Sequence, residues 1–117
     1  MGEPLTALFF SENRTMIFVI ATIQLVPGRR PDFLNEFHAI VPLVRAEKGC
    51  LEYGPTVDVS TNIPAQQPVR PDCVTVVEKW SDVTALEAHL IAPHMLAYRG
   101  KVKDLVQGVQ LQVLEPG

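Results

Sequence analysis

What the chain has little of narrows its class before any motif is read. It has two cysteines, Cys50 and Cys73, too few for a disulfide framework. Basic residues are the minority, ten against thirteen acidic ones, and no basic run stands out. Nucleic acid is therefore not an expected partner. No apolar stretch reaches the ~18 residues that a membrane-spanning helix requires, so no membrane partner is expected either. Residues 1–15, MGEPLTALFFSENRT, lack the basic start and the long apolar core of a signal peptide. They read as an N-terminal arm, or as an upstream extension before Met16, and a cytoplasmic location follows by default. Aromatic residues make up only 7%, with a single tryptophan, Trp80.

What remains suits one compact domain, residues 16–117. Apolar residues make up 47% and charged residues 20% of 117, the balance of a globular protein. Ile17–Leu25 (IFVIATIQL) is rich in β-branched residues and closed by Pro27-Gly28, which predicts a strand. Arg30–Gly49 predicts a helix. Pro31 fits the first turn, Gly49 a left-handed stop, and Phe33, Phe37, Ile40, Val41 and Val44 fall on one stripe. Pro42 lies inside it and removes one backbone bond.

Cys50–Val59 alternates, with Leu51, Tyr53 and Val57 predicted on the buried side and a bulge or edge position at Gly54-Pro55. Ser60–Asp72 has no periodicity and predicts a long loop. Cys73–Trp80 predicts the next strand, with Val74, Val76, Glu78 and Trp80 on one face. If these two strands pair, their cysteines sit at opposite ends of the hairpin. That is roughly 26 Å of strand, far beyond disulfide reach.

Ser81 or Asp82 can cap a short helix carrying Val83, Leu86 and Leu90, which Ala92-Pro93 ends. A further helix begins at Pro93 with the stripe Met95, Tyr98, Val102, Leu105 and Val106. Gly108–Pro116 alternates as a last strand. The order β-α-β-β-α-β is the ferredoxin-like α+β pattern: a four-stranded antiparallel sheet with helices on one face. Its other face would expose Phe18, Ile20, Val77 and Leu114 together, a patch expected to pair with a second copy. A homodimer joined through sheet faces, a dimeric α/β barrel, follows as an expectation.

The stretch EKWSDVTALEAHLIAPHMLAY, Glu78–Tyr98, gathers the chemistry-bearing residues. Trp80 and Tyr53 offer flat surfaces for an aromatic guest; a core role is the plainer alternative. Glu78 shares a face with Trp80, and a buried carboxyl needs a partner; Arg45 and Arg99 are the candidates for a simple salt bridge. His89 is the candidate catalytic base, since imidazole titrates near neutrality. Its place near a helix C-terminus favours the cation; a hydrogen-bonded structural histidine is the alternative. His94, in the first turn of the next helix, could orient a ligand oxygen as a neutral donor, or simply pack or cap. His38 lies off the apolar stripe and reads as a surface residue. His89 and His94 are five residues apart with Pro93 between, not the i, i+4 spacing of a helical metal pair. No metal is expected.

IVPLVRAEKGC (Ile40–Cys50), YGPTVDV (Tyr53–Val59), the long loop, EKWSDVTALEAHLIAPHMLAY and LQVLEPG resemble the antibiotic biosynthesis monooxygenase superfamily, closest to its bacterial quinol monooxygenase type. The resemblance runs from Met16 to Gly117. It implies an enzyme without metal or flavin that oxidises a dihydroquinone, a menadiol-like quinol, with O2. It implies His89 as the catalytic group and Trp80, Tyr53, Glu78, His94 and Tyr98 around the substrate. Haem-degrading members carry an asparagine in the first strand and a histidine late in the second helical region. Ala21 and Arg99 stand at those places here, which argues against haem.

Two other readings remain on the same fold. One is isomerisation of a small phosphorylated signal molecule, which needs Arg45, Arg70 or Arg99 to converge on the pocket. The other is a non-enzymatic dimeric ligand-binding or stress protein, with a shallow pocket and His89 tied to backbone.

Overall fold

The computed structural model describes residues 15–117, so all but the last residue of the expected N-terminal arm lies outside it. The elements are β1 (Ile17–Leu25), α1 (Arg30–Arg45), β2 (Cys50–Thr56), β3 (Cys73–Trp80), α2 (Val83–Leu90), α3 (Pro93–Val102) and β4 (Val106–Leu114). All strand pairs are antiparallel in the order β2-β3-β1-β4, the ferredoxin-like arrangement. No helix among the described residues is long and apolar enough to cross a membrane.

Alternation along the two central strands decides which side is the core. Ile17, Val19, Ala21 and Ile23 on β1, and Val74, Val76, Glu78 and Trp80 on β3, are buried beneath the helices. The α1 stripe behaves as its spacing predicts, with Phe33, Phe37, Ile40, Val41 and Val44 all buried. Each large side chain so buried stabilises the fold by about 1.5–3 kcal/mol. Met95, Tyr98, Val102 and Leu105 do the same on and just after α3.

Several expectations need correction. β2 stops at Thr56, and its bulge lies at Leu51 rather than at Gly54-Pro55: Cys50 pairs with Trp80 and Glu52 with Lys79, leaving Leu51 surplus and exposed. A bulged residue drops out of the alternation, so Tyr53 faces the core and Leu51 does not. Val57, beyond the strand end, is also exposed. On α2 the buried face is Leu86 and His89, while Val83 and Leu90 are exposed. β4 begins at Val106, because a register shift at Gln24/Leu25 absorbs one residue of β4 and carries the pairing back to that position. Cys50 and Cys73 lie at opposite ends of the β2–β3 ladder, both as free thiols.

Gly49 holds the α1–β2 turn close to the start of α2. Its φ of +83° suits glycine, and a Cβ there would stand 2.6 Å from both Ala85 Cβ and Ser81 Oγ. Ser81 N donates to Gly49 O at 2.8 Å across the same approach. The turn carries Glu47, which matters below.

On the outer face of the sheet, Phe18 pairs with Leu114 and Ile20 with Val77. Val77 and Leu114 are 38% and 42% exposed, and no helix covers them.

Candidate active site

A cavity of about 350 Å³ lies between the helices and the sheet. Its floor is Ala21, Ile23, Val76 and Glu78; its walls include Phe37, Tyr53, His89, Met95 and Tyr98; Arg99, Lys103, Val109 and Leu111 also border it. The volume falls in the roughly 300–1,000 Å³ range of small-molecule sites. The helices do not reach β4, so Val109 and Leu111 remain 59% and 47% exposed on the helix side of the sheet.

Aromatic rings bind the walls together. Phe37 stacks on Tyr53 at 5.5 Å and meets Tyr98 edge-on at 5.7 Å. Tyr53 meets the His89 ring at 5.3 Å, and Trp80 lies 4.7 Å from the same imidazole. Such pairs contribute about 0.5–1.5 kcal/mol each beyond their buried area. The result is a stiff wall built from five separate elements.

Glu78 and His89 are the buried carboxyl and imidazole among the described residues. Glu78 Oε1 accepts a hydrogen bond from Trp80 Nε1 at 2.9 Å, not an ion pair with arginine. Arg45 donates instead to Tyr53 O and Arg99 to Leu90 O. Burial pushes the Glu78 carboxyl up to about 7, against the pull of the Trp80 hydrogen bond and with a smaller push from Glu47. Burial also pushes His89 below its ordinary 6.5, and this outweighs the Glu47 carboxylate, which pulls the other way. The helix C-terminus therefore does not leave His89 a cation, as its position in the sequence suggests; desolvation wins. Burial likewise raises both Tyr53 and Tyr98, which stay neutral phenols.

Glu47 is the residue that sequence reasoning missed. His89 Nδ1 lies 2.9 Å from Glu47 Oε2 and 3.2 Å from Oε1, and His94 Nε2 lies 2.7 Å from the same Oε2. Glu47 is 42 and 47 positions from the two histidines, so no local spacing could reveal it. The one available signal was Gly49, whose left-handed turn aims the preceding residues at α2. An ionised carboxylate only accepts, so His89 donates through Nδ1 and carries its free lone pair on Nε2. Among the described residues Nε2 has no hydrogen bond, and since none of their buried side-chain nitrogens or oxygens lacks a partner, it keeps some exposure. The cavity that His89 lines is the opening beside it.

The structure thus brings Tyr53, Glu78, His89 and Tyr98 to the cavity. It puts Trp80, fully buried, behind Glu78 and His89 rather than on the wall, and His94 in a shallow groove between α1 and α3. His38 is exposed on α1. Among the described residues no three His, Cys, Asp or Glu side chains are arranged to hold a metal ion.

A ferredoxin-like sheet with a ring-walled, partly open cavity under its helices defines the class, an α+β domain. Residues 16–101 match the antibiotic biosynthesis monooxygenase family, and the chain belongs to it. It is 40% identical over 104 residues to the Escherichia coli K12 protein named "Probable quinol monooxygenase YgiN", spanning 87% of this chain and 99% of that one. Among solved structures, PA3566 from Pseudomonas aeruginosa aligns with a TM-score of 0.74 at 30% identity, covering 90% of this chain and 97% of that one. Rv0793 from Mycobacterium tuberculosis aligns at 0.73 and 26% identity, covering 88% and 96%.

Proposed function

We propose that the protein oxidises a planar dihydroquinone, of the menadiol class, with O2. One observation carries the reading: a neutral imidazole, His89, held from behind by Glu47 and open through Nε2 to an apolar, ring-walled cavity. The name of the Escherichia coli relative points to the same substrate class.

The quinol ring lies against Phe37, Tyr53, Met95 and Tyr98, which exclude bulk water. Nε2 of His89 takes the proton of one hydroxyl, and the Glu47 carboxylate stabilises the imidazolium that forms. The resulting quinolate is electron-rich and passes one electron to O2. The second electron and the second hydroxyl proton follow, so that quinol and O2 become quinone and hydrogen peroxide. Glu78, poised near neutrality, hydrogen-bonds the far oxygen of the ring and accommodates its changing charge. The substrate supplies both electrons, so the reaction as proposed requires neither flavin nor metal.

An isomerase acting on a phosphorylated signal would need a cradle of cations. Arg70 is engaged with Asp58 and Arg45 with a backbone carbonyl, which leaves Arg99 and Lys103 beside a mostly apolar slot. The reading as a binding module without chemistry expects His89 on backbone, whereas its partner is a carboxylate.

The test mixes purified protein with reduced menadiol in air and follows quinone absorbance and peroxide, with His89→Ala and a chelator-treated sample alongside. Acceleration by the native chain alone, unaffected by chelator, supports the proposal. Equal rates with and without protein end it. Oxygen-18 from O2 appearing in the ring would convert the step from dehydrogenation to oxygen insertion.

The same reading takes two copies joined through Phe18, Ile20, Val77 and Leu114. Ile20→Asp should then halve the sedimenting mass in analytical ultracentrifugation.

A further inference from the structure

The cavity and the outside are joined by a line of titratable groups. His89 side-chain exposure is 3%, Glu47 is 14% and His94 is 23%. Nδ1 of His89 and Nε2 of His94 share one oxygen, Glu47 Oε2, at 2.9 and 2.7 Å. Three elements supply the groups: the α1–β2 turn, the last turn of α2 and the first turn of α3. An orienting carboxylate needs one histidine partner, and nothing in the proposed chemistry requires the second.

We infer that His89, Glu47 and His94 form a proton relay between the cavity and solvent. The inference rests on the quinol reading for its use in turnover, and on geometry alone for its existence.

Imidazole conducts because it has two nitrogens. When Nε2 of His89 takes the substrate proton, its Nδ1–H bond breaks and the proton passes to Glu47 Oε2. At rest His94 also donates to the ionised carboxylate through Nε2, so it first exchanges tautomers through water; the bared Nε2 then takes the proton from Oε2 while Nδ1 of His94 sheds its own proton to water. Quinol plus O2 going to quinone plus hydrogen peroxide releases no net proton, so the line must also run backwards. His89 gives its Nε2 proton to the reduced oxygen, and a proton from water returns through His94 and Glu47 to Nδ1. His89 then holds its original tautomer, and His94 regains its own by exchange with water. No electron moves along the relay.

The groups facing this line are few. Glu78 and Arg99 border the cavity beside His89, and Arg99 disfavours its cation. Glu36 and Lys101 line the groove that contains His94. Glu47 and His94 act through His89 and do not touch the substrate.

The test has two arms, run on the native chain, His94→Gln and Glu47→Gln, with His38→Gln as the control. The first arm reads exchange of the His89 Nδ1 proton with water by ¹H–¹⁵N NMR saturation transfer and needs no substrate. His94→Gln should slow it by roughly an order of magnitude, and added imidazole should restore it. Unchanged exchange overturns the relay. The second arm measures menadiol oxidation at low buffer concentration. His94→Gln should lower kcat by a similar factor at constant KM, with rescue by imidazole, a response that loss of packing does not produce. Slowed exchange with native-like kcat at low buffer overturns the relay's part in turnover. Slowed exchange in a chain whose native form does not accelerate quinol oxidation upholds the relay and removes the quinol reading. Glu47→Gln should fail in both arms without rescue; a native-like result in either overturns the relay.

Discussion

Two concavities in this molecule invite comparison, and the larger is the less promising. The groove along the β2–β3 loop, lined by Asp58, Gln66, Val69, Arg70 and Asp72 among others, measures about 780 Å³, more than twice the 350 Å³ of the cavity under the helices. Its charged groups already have partners. Arg70 makes a two-pronged contact with Asp58, Asp72 accepts from Gly28 N, and Arg30 reaches the carbonyls of Arg70 and Cys73. The smaller cavity holds groups with capacity to spare: a bare imidazole nitrogen, a carboxyl near its titration point and two phenols. The contrast lies in titratable groups left uncommitted in a desolvated place, not in volume.

The largest effect should come from removing the imidazole. His89→Gln should lower kcat for quinol oxidation by roughly 10²–10⁴-fold in a stopped-flow assay. A loss under tenfold would reduce His89 to a wall residue and blur the contrast. The native kcat/KM should hold as pH falls through 6.5 and decline only below it, because burial depresses the His89 value. An acid limb above 6.5 that persists in Glu78→Gln contradicts the neutral, desolvated imidazole.

Glu78 sharpens the comparison through stability. Its folded value, about 7, lies above the ordinary 4.5, so the folded chain holds this proton more tightly than the unfolded one. The associated stability is complete below 4.5 and is lost as pH rises through 7. About 3 kcal/mol is at stake, at ~1.4 kcal/mol per pH unit. Urea unfolding of native protein and Glu78→Gln at pH 5 and pH 8 should show the variant gaining on the native chain at the higher pH. A constant difference would mean that the carboxyl is solvated. Trp80→Phe keeps most of the buried ring but removes the donor to Glu78, and should cost about 1–3 kcal/mol. Smallest of all, Arg70→Ala in the groove should leave quinol turnover at the native rate; a clear loss would make the larger concavity part of the site.

Much of this was legible in the residues. Phe33, Phe37, Ile40, Val41 and Val44 announce a buried helix face, and the parity of Val74, Val76, Glu78 and Trp80 puts them on one side of a strand. Both follow from local periodicity, which a sequence displays directly. Glu78 and Tyr98 were legible because each belongs to such a face; Tyr53 was expected on a side whose other members, Leu51 and Val57, prove exposed, and His89 lies off the Val83, Leu86 and Leu90 stripe read for its helix. Glu47 was not: its meaning comes from a tertiary approach fixed by Gly49 and the Ser81 backbone. Nor was the withdrawal of Trp80 from the wall, since parity says which side of a sheet a ring takes and not how deep it sits. The Leu51 bulge hid for another reason, because an extra residue leaves the pattern on either side looking regular.

That surplus residue has a consequence of its own. Deleting Leu51 would leave Cys50 opposite Trp80 and Glu52 opposite Lys79, a ladder with no gap. Bulges bend and twist the strand that carries them, and this one lies just after the turn that delivers Glu47. A chain lacking Leu51 should therefore melt near the native temperature while its carboxylate misses the imidazoles. Such a deletion should be silent to thermal screening and decisive for the proposed proton relay, although the Leu51 side chain itself is exposed.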